Sequence, residues 1–201
     1  NTRGAATELL STDTLAEEDS VYLSAPPPDH AASEVHPKTD SDLTELFQIS
    51  RALSRVTRHE ALIGALRGFL RARFSPDAAW LLFLQDPSVP DGQVVNVLSP
   101  GVAVKGPTAR GVRERLSRVL KERRGLLFPE RSTSGDKVQV RCTMAAPIFF
   151  GEHRIGALCI ERTMAERVWF RQDLHFFVAL AHIIAPFFGA IERMEQLEEE
   201  K

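Results

Sequence analysis

Apolar positions recur every three to four residues in some stretches of the chain and run almost unbroken in others, and these two patterns divide it into helices and strands. Leu43, Leu46, Phe47, Ser50 and Leu53 follow the helical period behind Asp40-Ser41-Asp42, whose side-chain oxygens suit an N-cap. After a break near Thr57, Leu62, Ile63, Leu66, Phe69 and Leu70 predict a second helix over 60–74, stopped by Ser75-Pro76-Asp77. Gly64 and Gly68 leave a bare stripe on it that would admit a neighbouring backbone. Two short runs, 78–85 and 93–98, read as a hairpin around the Pro- and Asp-rich turn between them. A third helix follows over 108–122, with Val112, Leu116, Val119 and Leu120 on one side. Then come a short strand at 126–128 and a polar loop at 130–137. The last helix starts near Arg171 and runs to the end of the chain, interrupted only by Pro186. Its apolar stripe extends from Leu174 through Met194 to Leu197.

The most readable stretch lies between these last elements. The runs 138–150 and 155–162 are β-rich and separated by the polar break Gly151-Glu152-His153-Arg154, as in a hairpin. Neither run alternates cleanly, so both faces are expected to be covered and the hairpin to lie centrally in a sheet. Pro147 cannot donate a ladder hydrogen bond and belongs at a bulge or beside an absent partner. The sequence Arg141-Cys142-Thr143-Met144-Ala145-Ala146-Pro147-Ile148, the turn, and Ile155-Gly156-Ala157-Leu158-Cys159-Ile160-Glu161-Arg162 together resemble the signature hairpin of GAF domains. Cys142 stands where Ser is usual, and the resemblance covers about residues 42–198.

That resemblance implies an α/β (α+β) fold: a central antiparallel sheet with a helical bundle on one face and a ligand-pocket helix, 108–122, on the other. It implies a non-catalytic, small-molecule-sensing and dimerising regulatory domain, cytoplasmic, in a multidomain signalling or transcription-regulatory protein. The division expected is an acidic Pro-rich linker over 1–38, the domain over 39–191 and an outgoing helix over 192–201. An acidic linker before such a domain and a Glu-rich helix after it resemble proteins that carry a forkhead-associated domain first and a sigma-54-activating ATPase last.

Composition refines this picture. Residues 1–42 carry nine acids and two bases, a net of −7, and the remainder 23 bases and 18 acids, a net of +5. Spread over the domain, that balance lacks the clustered basic footprint of a nucleic-acid binder, and no direct nucleic-acid partner is expected. The polar start is unlike a signal peptide, and no apolar run is expected to reach the ~20 residues of a membrane span, so no membrane partner is expected either. Two cysteines make no disulfide framework.

The chemistry-bearing candidates follow. A ligand pocket would be lined by Trp80, Phe128, Cys142 and Met144, with Arg113, Arg118 or Arg141 holding an anion, since guanidinium forks match carboxylate and phosphate. A solvated basic face is the competing reading, because Val112, Leu116 and Leu120 already claim the helix's inward side. The partners expected are an unidentified small molecule and a second copy, paired through Leu46, Phe47, Ile184, Phe188, Ile191 and Met194 on the terminal helices. The six histidines form no ligand cluster, so neither metal nor cofactor is expected. Trp169, Phe170 and Asp173 match only part of the cyclic-nucleotide pattern of the family and read more simply as a helix start. Two alternatives remain open. One is a ligandless dimerisation scaffold whose pocket is filled by its own side chains. The other is a thiol enzyme of the methionine-sulfoxide-reducing kind, which would need Cys142 and a second sulfur at an open cleft, although Cys159 lies about four residues out of register with it.

Overall fold

Nine elements account for the described residues, 40–84, 93–99, 106–134, 137–164 and 169–199, of the computed structural model. They are α1 (Asp40–Leu53), α2 (His59–Phe74), β1 (Ala78–Phe83), β2 (Gln93–Asn96), α3 (Gly106–Glu122), β3 (Leu126–Ser134), β4 (Lys137–Phe150), β5 (His153–Met164) and α4 (Arg171–Glu199). The strands form one antiparallel sheet in the order β2-β1-β5-β4-β3. The α/β class and the central place of the β4–β5 hairpin are thus those expected. The linker expected over 1–38 lies outside the described residues.

The hairpin is tighter than its polar break suggests. Phe150 pairs with His153 across a two-residue turn, Gly151-Glu152, and Gly151 has φ +58°, a conformation glycine adopts without strain. Ile155 then bulges between the pairs Phe149↔Arg154 and Ile148↔Gly156, which sets Cys159 opposite Ala145. Pro147 lies one residue before this bulge and beyond Ala145, where the β3 ladder ends. At Gly156 the β1 backbone comes so close that a Cβ would collide with the Leu82 carbonyl oxygen. β3 continues to Ser134 through the stretch expected as a polar loop, because ladder hydrogen bonds are made by the backbone and an edge strand accommodates polar residues.

Alternation sends the strand residues into two layers. On one face Ala79, Leu81, Cys142, Met144, Ala146, Ile148, Leu158 and Ile160 meet α1, α2 and α4. Leu62, Leu66, Leu70 and Phe74 of α2 and Leu174, Phe177, Ala181, Ile184 and Phe188 of α4 fill the space between. Aromatic edges tie the layer together: Phe74 meets Phe177 at 5.6 Å and Trp169 at 6.3 Å, and Phe83 meets Phe188 at 4.7 Å. Asp173 accepts a 2.9 Å hydrogen bond from the Phe170 amide, the N-terminal capping role that the dipole argument assigns to an acid there.

Arg73, at the end of α2, reaches Asp42 at 3.0 Å and Glu45 at 3.2 Å and lies over the Phe176 ring at 4.7 Å. The starts of α1 and α4 therefore both sit beside the end of α2, so α1 and α4 run parallel. At 1.5 Å per residue, the 29 residues of α4 outreach the 14 of α1 by roughly 20 Å.

Three expectations about helices are corrected. Leu46, Ile184, Phe188 and Ile191, expected at a dimer interface, turn inward and are buried in this chain's own core, because the stripe they share is the one α4 uses against the sheet and α2. Phe47, at 74% exposure, and Met194, at 39%, do face outward, as do Leu43 and Leu197. Among the described residues no backbone approaches α2 at its glycines, and the packed side is the Leu62–Leu66–Leu70 stripe. By length and composition, 171–191 is apolar enough to cross a membrane, an 18-residue window within it having mean hydropathy 2.0, contrary to the expectation that no run reaches that length. In this fold 56% of that window is buried, and the segment serves as the core helix.

Candidate functional site

Among the described residues, the other face of the sheet is covered by α3. Val112, Leu116, Val119 and Leu120 pack onto Trp80, Leu82, Leu126, Phe128, Ala145, Phe149 and Cys159. The ladder registers stack the strand residues in rows across this face. Trp80, Cys159, Ala145 and Leu126 form an apolar row. The next row, Ala78, Glu161, Thr143 and Phe128, brings in an acid and a hydroxyl, and the one beyond it brings in Arg141, with Glu130 opposite in the β3–β4 ladder.

Polar groups converge where α3 passes over these rows. Arg115 follows Val112 by three residues and precedes Val119 by four, so it shares the flank of the buried stripe instead of the solvent side. Its Nη1 lies 3.5 Å from Glu161 Oε2, and Arg141 Nε lies 3.3 Å from Glu161 Oε1. The Glu161 side chain is 14% exposed and that of Arg115 18%, whereas Arg141 is about half exposed. Beside them Thr143 is fully buried, and its Oγ1 has no hydrogen-bond partner. A buried hydroxyl left unpaired costs on the order of 1–3 kcal/mol, so it marks a place where the fold tolerates an unfavourable group.

The structure disperses the residues expected to line a pocket. Trp80 and Phe128 lie on the α3 face, packed into its apolar layer. Cys142 and Met144 lie on the opposite face, within the core under the three other helices, because they alternate with Arg141, Thr143 and Ala145 along β4. Arg113 and Arg118 point away from the sheet, where they border an open groove of about 560 Å3 along the outer side of α3 with Ser117 and Lys121. Arg118 donates to Glu122 at 2.7 Å. That bond, reinforced by Arg124, holds the Glu122 carboxyl below the usual carboxylate range against a smaller opposing effect of burial. Of the expected cations only Arg141 reaches the polar cluster. The two residues missed, Arg115 and Glu161, were legible by period: Arg115 by its spacing from Val112 and Val119, Glu161 by its i+2 relation to Cys159.

The cysteines stand apart in chemistry as well as place. They occupy opposite faces of the sheet, Cys142 opposite Arg162 and Cys159 opposite Ala145. Burial pushes the Cys142 thiol up to about 11, only partly offset by a hydrogen bond to the Trp169 main chain, and the Asp173 carboxylate adds to the rise. A thiol so placed is a poor nucleophile at neutral pH. Among the described residues, no three His, Cys, Asp or Glu side chains are grouped to hold a metal ion.

With this geometry in view, comparisons with known proteins place the chain. The family profile of the GAF domain matches residues 42–186. Among solved structures, the GAF domain of an Acinetobacter phosphoenolpyruvate-protein phosphotransferase superposes with a TM-score of 0.54 at 10% identity, over 79% of this chain and 99% of that one. The free methionine-R-sulfoxide reductase of Neisseria meningitidis, solved with its substrate, superposes at 0.53 and 16% identity, over 78% and 95%. The GAF domain of a phosphoenolpyruvate-protein phosphotransferase from Coxiella burnetii gives 0.51 at 16% identity, over 77% and 96%. At these identities the likeness is one of fold. Compared with curated protein sequences, the chain has no significant match.

Proposed function

The chain belongs to the GAF domain family, sensory and regulatory modules of signalling proteins, and on that footing we propose that it is a non-catalytic sensor whose ligand engages the α3 face of the sheet. The observation that carries this reading is the convergence of Arg115, Glu161 and Arg141 beside the unpartnered Thr143 hydroxyl, polar groups gathered under a helix that has apolar residues enough to seal the face without them. A route for the signal lies in β4. Arg141 and Thr143 flank Cys142, which lies in the same buried layer as Trp169, just before α4. A ligand that shifts β4 favours one setting of α4 over another, and only the difference in affinity for the two settings does work. The outward Phe47, Leu43, Met194 and Leu197 would then pair with those of a second copy, joining the parallel helices α1 and α4 of a homodimer. Such a module suits a cytoplasmic signalling or transcription-regulatory protein.

The packed layer of Trp80, Leu82, Leu126, Phe128 and Phe149 favours a second reading, a scaffold that binds no ligand and works through its helices. A thiol enzyme is disfavoured by the separation of the two cysteines on opposite faces of the sheet and by the raised pKa of the Cys142 thiol. Native mass spectrometry of the purified chain, followed by a thermal-shift screen of cyclic nucleotides, organic acids, amino acids and other metabolites, separates the first two. A bound adduct or a melting rise with one chemical class supports the sensor. A dimer with no adduct and no shift across the panel supports the scaffold.

A further inference from the structure

Between Arg110 and Arg124, in α3 and just beyond it, stand seven bases and two acids. Arg115 turns to Glu161 at the sheet, whereas Arg110, Arg113, Arg118 and Lys121 border the open groove along the outer side of the helix. Spacings of three, four and four set Arg110, Arg113, Ser117 and Lys121 in one line along that side. Both acids lie in the same groove: Arg110 pairs with Glu114 at 3.4 Å and Arg118 with Glu122 at 2.7 Å. Four bases against two acids leave an excess of two positive charges however they are paired. Exposed pairs of this kind are worth about 0–1 kcal/mol each, so an incoming acid exchanges them at little cost.

The same chain holds a segment of opposite sign. Residues 8–34 contain seven acids and neither Lys nor Arg, and the first five acids, Glu8, Asp13, Glu17, Glu18 and Asp19, are interleaved with Leu9, Leu10 and Leu15. Acid and leucine together suit a groove walled by arginine and lysine, whose stems are aliphatic and whose heads are charged. The segment can also reach it. α1 begins at Asp40 on the opposite side of the sheet from α3. Fully extended, residues 20–39 span roughly 70 Å, and halfway round a domain of this size is about 60 Å. Attachment to the same chain supplies an effective concentration on the order of a millimolar, which makes weak surface pairs sufficient. A nucleic acid lacks that advantage, and an excess of two charges falls well short of the roughly six to ten phosphate contacts on which such binding rests.

We propose that residues 8–19 dock along the outer side of α3 of the same chain, against Arg110, Arg113, Arg118 and Lys121. Docked there, the segment neutralises the basic face and withholds it from other anions, and high salt or a stronger polyanion releases it. The contact is independent of whether a ligand binds on the inner side of α3.

The test is paramagnetic relaxation in the full chain, with a nitroxide attached at Ser11→Cys; the two native cysteines are buried. The label is expected to broaden the amide signals of residues 110–121 and to spare those of α2 around Gly64 and Gly68. Arg113→Glu combined with Lys121→Glu, both at exposed positions, should abolish the broadening while circular dichroism shows the fold intact. Adding Glu17→Lys, Glu18→Lys and Asp19→Lys to that variant should restore it, as a loss of folding could not, and about 0.5 M salt should remove it from the native sequence. Equal broadening over the whole surface, or broadening of α3 that survives the reversal of Arg113 and Lys121, overturns the proposal. So does broadening seen only when a nitroxide-labelled chain is mixed with a separate isotope-labelled one, which would seat the segment on a second copy.

Discussion

The two faces of the sheet are covered in different ways. One lies under three helices joined to it by a large, mostly apolar layer, with rings of Phe74, Phe177, Trp169 and Phe188 set edge to ring against their neighbours. The other lies under one helix, and beside its smaller apolar layer sit an acid, two bases and an unpaired hydroxyl. The first arrangement accumulates stability; the second gives part of it up to keep polar groups in place, as sites of recognition do. The hairpin strands β4 and β5 belong to both, and each successive residue reports to the opposite side.

Truncation should separate the faces by size of effect. Phe177→Ala, which empties a fully buried position between α4 and α2, is expected to cost about 3–5 kcal/mol in urea unfolding, and Leu116→Ala under α3 about 2–3, since a single helix can close over the gap more easily. Equal losses would mean the α3 layer is as rigid as the bundle. Gly156→Ala tests the strands that serve both faces. The collision with the Leu82 carbonyl forces β1 away from β5, and a loss of about 3 kcal/mol or more is expected, with both layers loosened in hydrogen exchange.

Smaller effects probe the polar cluster. Glu161→Gln leaves Arg115 and Arg141 facing a neutral amide; because Arg141 is half exposed, a loss of only about 1–2 kcal/mol is expected, and it should shrink in high salt. Thr143→Val replaces the unpaired hydroxyl with a methyl of the same shape and should be neutral or stabilising by up to about 1 kcal/mol, whereas a clear loss would mean that the hydroxyl is hydrogen-bonded in solution. On the bundle side Cys142 gives a pH handle. Its thiol in the folded chain titrates at about 11 against an ordinary 9.0, so its contribution to stability is fully present below pH 9 and is lost as pH rises through 11. A Cys142→Ala variant should lack that alkaline component in pH-dependent melting, and alkylation of the native thiol at pH 8 should be slow.

Much of the comparison was readable along the chain, and its failures share one cause. Helix positions followed from period: Val112, Leu116, Val119 and Leu120 were assigned inward and are buried. Strand faces did not, because β4 is apolar or small on both sides from Cys142 to Ile148, and no polar alternation says which set meets which layer. Hence Cys142 and Met144 were expected beside Trp80 and Phe128 and lie across the sheet from them. Arg115 differs from its basic neighbours on α3 in its spacing from Val112 and Val119, which places it on the inward flank. The stripe of α4 was legible as apolar, but not that its own α2 and sheet would cover Ile184, Phe188 and Ile191 and leave Phe47 and Met194 outside.

Local periodicity, turn residues and the signature hairpin were sufficient to specify the order of elements, the antiparallel sheet and the family, since those depend on each residue's preferences and those of its near neighbours. Which side of the sheet each hairpin residue serves, that Arg115 and Arg141 meet over Glu161, and that Thr143 is left without a partner were decided only when the bulge at Ile155 set the register and α3 and α4 took opposite faces. These are contacts between residues far apart in the chain, and a one-residue change of register would have exchanged the two sets of side chains.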